Sequence, residues 1–131
     1  MTAQQFVETV AEYDRRLRHY LALQAWLQEQ LEECDDTSLG WQTRATLALR
    51  SQELSQGIED AYQALEQQKR KVRHLIDRLP DRDERQALTL RFVDLMPHQK
   101  AAEAMYISER HLYRIQKKAL MHLEGLPQLQ E

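Results

Sequence analysis

His98-Gln-Lys-Ala-Ala-Glu-Ala-Met-Tyr-Ile-Ser-Glu-Arg-His-Leu-Tyr-Arg-Ile-Gln-Lys-Lys118 places its apolar residues where two short crossed helices need them. Ala101, Ala102 and Met105 share the inner face of a first helix, Ile107 plugs a turn, and Leu112 and Ile115 form the inner face of a second. The small Ala102 lets the two helices approach closely where they cross. Ser108 stands where the second helix must begin, with a hydroxyl able to accept a hydrogen bond from an unpaired first-turn N–H. With the apolar residues turned inward, Glu109, Arg110, Tyr113, Arg114, Lys117 and Lys118 point out. A basic, hydrogen-bonding outer face on the second of two crossed helices is the pattern of a helix-turn-helix whose second helix enters the DNA major groove.

Upstream, two long heptad stripes precede this unit. The first runs Phe6, Val10, Tyr13, Leu17, Tyr20, Gln24, Leu27, Leu31, Cys34. The second runs Leu47, Ser51, Leu54, Ile58, Ala61, Leu65, Gln68, Val72, Leu75, Leu79. Alternating steps of three and four are the coiled-coil period. Asp35-Asp-Thr-Ser-Leu-Gly40 between them is a loop by composition, so the arms fold back as an antiparallel helical hairpin. Gln24, Ser51 and Gln68 interrupt the seam, and Gly57 weakens the middle of the second arm. Leu21, Leu23 and Trp26 widen the apolar surface beyond what a two-helix seam covers. The hairpin therefore either packs on the C-terminal unit or pairs with a second copy, and a lone two-helix hairpin buries too little surface to favour standing alone.

Between hairpin and helix-turn-helix, Leu79-Pro80-Asp81 ends or bends the second arm. Asp81 with Glu84 three residues on forms a capping-box pattern. A helix over 81–96 is expected, with Leu88, Phe92 and Leu95 on its apolar face and Leu90 and Met96 alongside. Pro97 suits the first turn of a helix over 97–105, and a third helix follows over 108–124. The fold class is all-α: a long N-terminal antiparallel, coiled-coil-like hairpin followed by a three-helix C-terminal domain containing the helix-turn-helix. The expected organisation is 1–79 hairpin, 80–124 DNA-binding domain and 125–131 flexible tail.

Composition supports that reading. The 131 residues include only three Gly and three Pro, and 30% are charged. Mean hydropathy is −0.73, and no apolar stretch approaches the ~20 residues of a membrane span. Neither a signal peptide nor a disulfide framework is expected; Cys34 is the one cysteine, so the expected setting is cytoplasmic. The formal net charge of −3 hides an uneven distribution. Residues 1–46 hold eight acids against four arginines, whereas 108–118 hold Arg110, Arg114, Lys117 and Lys118 against Glu109. Lys69-Arg70-Lys71-Val72-Arg73 reads first as a solvated helix face. His98, His111 and His122 lack metal-ligand spacing with Cys34 or one another. No Gly-rich phosphate loop or nucleophile–base constellation occurs, so no enzyme, cofactor or metal is expected.

The stretch from Ile76 to Leu123 resembles region four of bacterial sigma factors, and the sigma-like C-terminal part of small phage-encoded regulators of the ArpU and RinA type. The resemblance rests on Leu79-Pro80-Asp81, Arg85, Leu88-x-x-Arg91-Phe92, Ala101-Ala102, Ile107-Ser108 and Lys118-Ala119-Leu120-x-x-Leu123. It covers the last third specifically and the rest by architecture. Two positions depart from the pattern: Tyr106 occupies a turn that usually carries Gly, and Ala101 replaces a larger aliphatic. A left-handed backbone at Tyr106 would be strained.

The resemblance implies binding to promoter double-stranded DNA and contact with RNA polymerase. Carried onto this chain, the base-reading residues are Glu109, Arg110, Tyr113, Arg114 and Lys117. Ser108, Lys118, Lys100, Gln99 and His111 are the phosphate-binding candidates. Two other functions compete with promoter regulation. One is DNA recognition for phage packaging, as in small terminase subunits; the other is a polymerase or sigma interaction module that touches no DNA.

Overall fold

The computed structural model describes residues 1–34 and 38–126. It is all-helical. Helix α1 spans Ala3–Glu33, α2 Ser38–Ile76, α3 Arg82–Leu88, α4 His98–Ala104 and α5 Glu109–Glu124. A π-helical turn, Thr89–Val93, continues α3. The described chain divides into two compact units, Met1–Glu12 with Gln67–Glu131, and Tyr13–Glu66.

Every position of both heptad stripes is buried or half-buried. In the Tyr13–Glu66 unit the arms run antiparallel, and the Gln24 Nε2–H donates to Ser55 Oγ at 3.2 Å. In the other unit the Gln68 Nε2–H donates to Thr9 Oγ1 at 2.6 Å, so this polar break in the stripe is buried with its partner. The expected loop over 35–40 is shorter at its far end, because Ser38, Leu39 and Gly40 already belong to α2. The remainder of that loop, 35–37, lies outside the described residues, as does 127–131 of the expected tail.

Helix α1 opens on a reciprocal cap. The Gln5 N–H donates to Thr2 Oγ1 at 3.1 Å while the Thr2 N–H donates to Gln5 Oε1 at 2.9 Å. Glu124, at the end of α5, accepts the Ala3 N–H at 2.6 Å. The first three turns of α1 thus join the C-terminal helices, with Ala3, Val7 and Val10 buried.

Asp81 caps α3 as expected, its Oδ1 accepting from the Asp83 and Glu84 N–H groups at 2.8 and 3.2 Å. The other half of the capping box does not form. The Glu84 carboxylate is buried and reaches α5 instead, with His122 Nδ1 at 2.8 Å. The expected helix over 81–96 also ends early. The π turn pulls Phe92 and Val93 inward together, and Leu95, at φ 55°, closes the segment. Two arginines hold this turn and the preceding one to the backbone. Arg85 Nη1–H donates to the Leu79 carbonyl at 2.6 Å, and Arg91 Nη1–H donates to that of Met96. Pro97 serves as the N-cap of α4 rather than lying in its first turn.

Candidate nucleic-acid interface

Ala87, Ala101, Ala102 and Leu112 form a fully buried cluster where α3, α4 and α5 meet, and Leu90, Met96, Met105, Ile107 and Ile115 pack around it. Two alanines at the α4 crossing leave room for Leu112. The first helix of the pair ends in a Schellman turn: the Tyr106 N–H donates to the Glu103 carbonyl at 3.1 Å and the Ile107 N–H to that of Ala102 at 3.0 Å. The turn's left-handed position is Tyr106, at φ 58°. A side chain there costs about 1–2 kcal/mol that glycine does not. Ser108 then caps α5, its Oγ accepting the His111 N–H at 3.1 Å.

Leu112, Ala119 and Leu123 seat α5 on this core. One turn of helix every 3.6 residues puts Arg110, Arg114, Lys117 and Met121 on the opposite side, flanked by Tyr113 and Lys118. All five base-reading candidates, Glu109, Arg110, Tyr113, Arg114 and Lys117, are exposed. Among the described residues, Arg110, Arg114, Lys117 and Lys118 have no ion-pair partner, so their charges face solvent uncompensated. Glu109 is less free: its Oε1 lies 3.6 Å from His98 Nδ1 and ties the start of α5 to the start of α4.

The phosphate-binding candidates are exposed as well. Lys100 and Gln99 project from α4, with the Gln99 amide 3.5 Å from Glu103 Oε1. Ser108, with its hydroxyl proton still available, and His111 stand at the start of α5, and Lys118 lies two turns farther on. Helix α5 therefore brings seven of the ten candidates together with Ser108 at its cap, and α4 supplies the remaining two.

Sequence reasoning passed over Met121. It is 68% exposed on the outward face. Together with His111, Arg114, Ile115, Lys117 and Lys118 it lines a shallow, almost wholly apolar groove. Its spacing of four from Lys117 and seven from Arg114 was the available signal. Among the described residues no group of His, Cys, Asp and Glu is arranged to hold a metal ion, and no helix is long and apolar enough to cross a membrane.

Residues 75–124 match the family described as Sigma-70, region 4. The matched span begins at the end of α2 and closes with α5, so it contains the whole crossed-helix unit and the π turn. This is a sigma region-four-like helix-turn-helix, and it indicates DNA-binding regulation in the general sense. No curated protein and no solved structure gives a significant match to the chain.

Proposed function

We propose that the chain is a sequence-specific transcription regulator that reads promoter DNA with α5, a non-enzymatic cytoplasmic protein of the phage- or prophage-encoded kind. One observation carries this reading. The residues that can recognise base edges share the solvent face of a helix whose opposite face is fixed by Leu112, Ala119 and Leu123. Arg110 and Arg114 have the reach and fork geometry for guanine N7 and O6, and Glu109 can accept from cytosine N4. Lys118, Lys100, Gln99, Ser108 and His111 surround that face as backbone contacts, which fix register without reading sequence. Division of labour follows: residues 80–124 read DNA, and the hairpin of 1–79 supplies dimerisation. Trp26 and Leu23, both exposed on α1, support the second assignment.

Selection of bound duplexes from a random DNA pool, at two salt concentrations, tests the reading. Enrichment of one site, with affinity falling steeply as salt rises, is the expected outcome. Enrichment of nothing contradicts it. Native mass measurement separates regulation from packaging, since one or two copies fit a regulator and a ring of eight or more fits a packaging subunit. In the same measurement Trp26→Glu should shift the mass from two copies to one, and an unshifted dimer would remove the hairpin face from the interface.

A further inference from the structure

Among the described residues, Leu95 and Tyr106 have left-handed backbone, and they sit in different circumstances. Leu95 is half-buried, and its turn is held by the Arg91 guanidinium on the Met96 carbonyl and by the Met96 N–H donating to the Leu90 carbonyl at 2.9 Å. Those hydrogen bonds hold the strained conformation in place. The Tyr106 turn is held by backbone hydrogen bonds alone among the described residues, with no side chain clamping it. The Tyr106 side chain is 95% exposed, while its backbone makes a Schellman turn that glycine would make without strain. The fold gains nothing from an aromatic ring at that position.

We propose that Tyr106 is a DNA-backbone contact, its phenol O–H donating to a phosphate oxygen and its ring lying against the adjoining sugar. Three facts support this beyond the strain. Tyr106 stands two residues before the Ser108 cap, at the end of α5 that the proposed docking inserts into the groove. That end also carries the exposed Glu109 and Arg110, so in the proposed docking Tyr106 lies beside the residues assigned to the groove. A phenol is also a neutral donor with an apolar body, suited to the mixed surface of sugar and phosphate. The assignment rests on the DNA-binding reading of α5 and extends it to the turn.

A contact of this kind is distinguishable from both a structural role and a cationic one. Tyr106→Gly should raise the melting temperature by about 3–5 °C, because the left-handed strain is relieved. The same variant should bind the selected duplex about 5- to 10-fold more weakly, the size expected for loss of one hydrogen bond and one apolar contact. Tyr106→Phe should keep wild-type stability and lose about 3-fold. Since the phenol releases no counterion, the slope of log affinity against log salt should stay unchanged in both variants, whereas Lys100→Ala should lower it by about one. The loss should be equal on selected and unrelated duplexes, as for any contact that reads no base.

Full-length protein titrated with the selected duplex decides the matter, with an Arg110→Ala, Arg114→Ala double variant alongside. Opposite signs for stability and affinity in Tyr106→Gly support the contact. Wild-type affinity in Tyr106→Gly, with the arginine variant impaired, overturns the assignment and leaves the reading helix intact. If the arginine variant also binds normally, the DNA-binding reading of α5 falls and the assignment falls with it.

Discussion

The two compact units differ sharply in how they bury their apolar residues. In Tyr13–Glu66, Leu27 and Leu65 are the only buried hydrophobics among the described residues, neither of them completely, and the rest of the heptad seam is half-covered. In Met1–Glu12 with Gln67–Glu131, fully buried residues come from every helix, from Val7 and Val10 of α1 through Val72 and Ile76 of α2 to Leu88, Leu112 and Leu123. A helix can hold its reading face in a fixed orientation only if its inner face is locked, and that condition is met in the second unit. The first unit has the opposite profile, a seam without a core and an exposed Trp26. That exposed apolar surface is the ground for the dimerisation proposed for the hairpin.

Deleting a side chain from each unit should expose this contrast most strongly. Leu112→Ala opens a cavity against Ala87, Ala101 and Ala102 and should destabilise by about 3–5 kcal/mol in denaturant unfolding. Leu54→Ala, on the half-buried seam, should cost less than about 2 kcal/mol. Equal losses would mean that the hairpin is as tightly packed as the crossed helices. Removal of the α5 cap comes next. Ser108→Ala leaves the His111 N–H without its acceptor and should cost about 1 kcal/mol, read as a lowered melting temperature. Ser108→Gly should recover most of that loss, because glycine caps far better than alanine.

The smallest effect should run the other way. A Cβ built on Gly57 meets no atom within 4 Å, so Gly57→Ala adds helix propensity without a clash. It should stabilise the chain by about 0.5–1 kcal/mol by thermal unfolding. Destabilisation instead would show that the groove over Gly57, lined by Tyr13, Tyr20, Ala61 and Ala64, is occupied in solution.

Much of this is legible in the sequence, for a specific reason. The heptad stripes, the Asp81 and Ser108 caps, and the inward set of Ala101, Ala102, Met105, Ile107, Leu112 and Ile115 all rest on local periodicity and on polar groups within three residues of their partners. What the sequence does not announce depends on distant pairings. Glu124 accepts an N–H from a residue 121 positions away, and Glu84 leaves its expected capping role for His122, 38 positions away. Nothing in a short window announces either contact. The π turn escaped for another reason, because one extra residue per turn is selected by the packing of Phe92 and Val93 together and not by helix propensity. At the site, the basic outer face is legible from spacing alone.

Affinity of the full chain for its selected duplex, measured across a salt series for wild type, Arg110→Ala and Arg114→Ala, is the most direct test of the orientation of α5. Each substitution should weaken selected-site binding by about 10- to 100-fold, relax preference at one or two base positions, and leave weak binding to unrelated DNA much less affected. Wild-type affinity and wild-type preference in both variants would contradict an outward, DNA-reading face on α5.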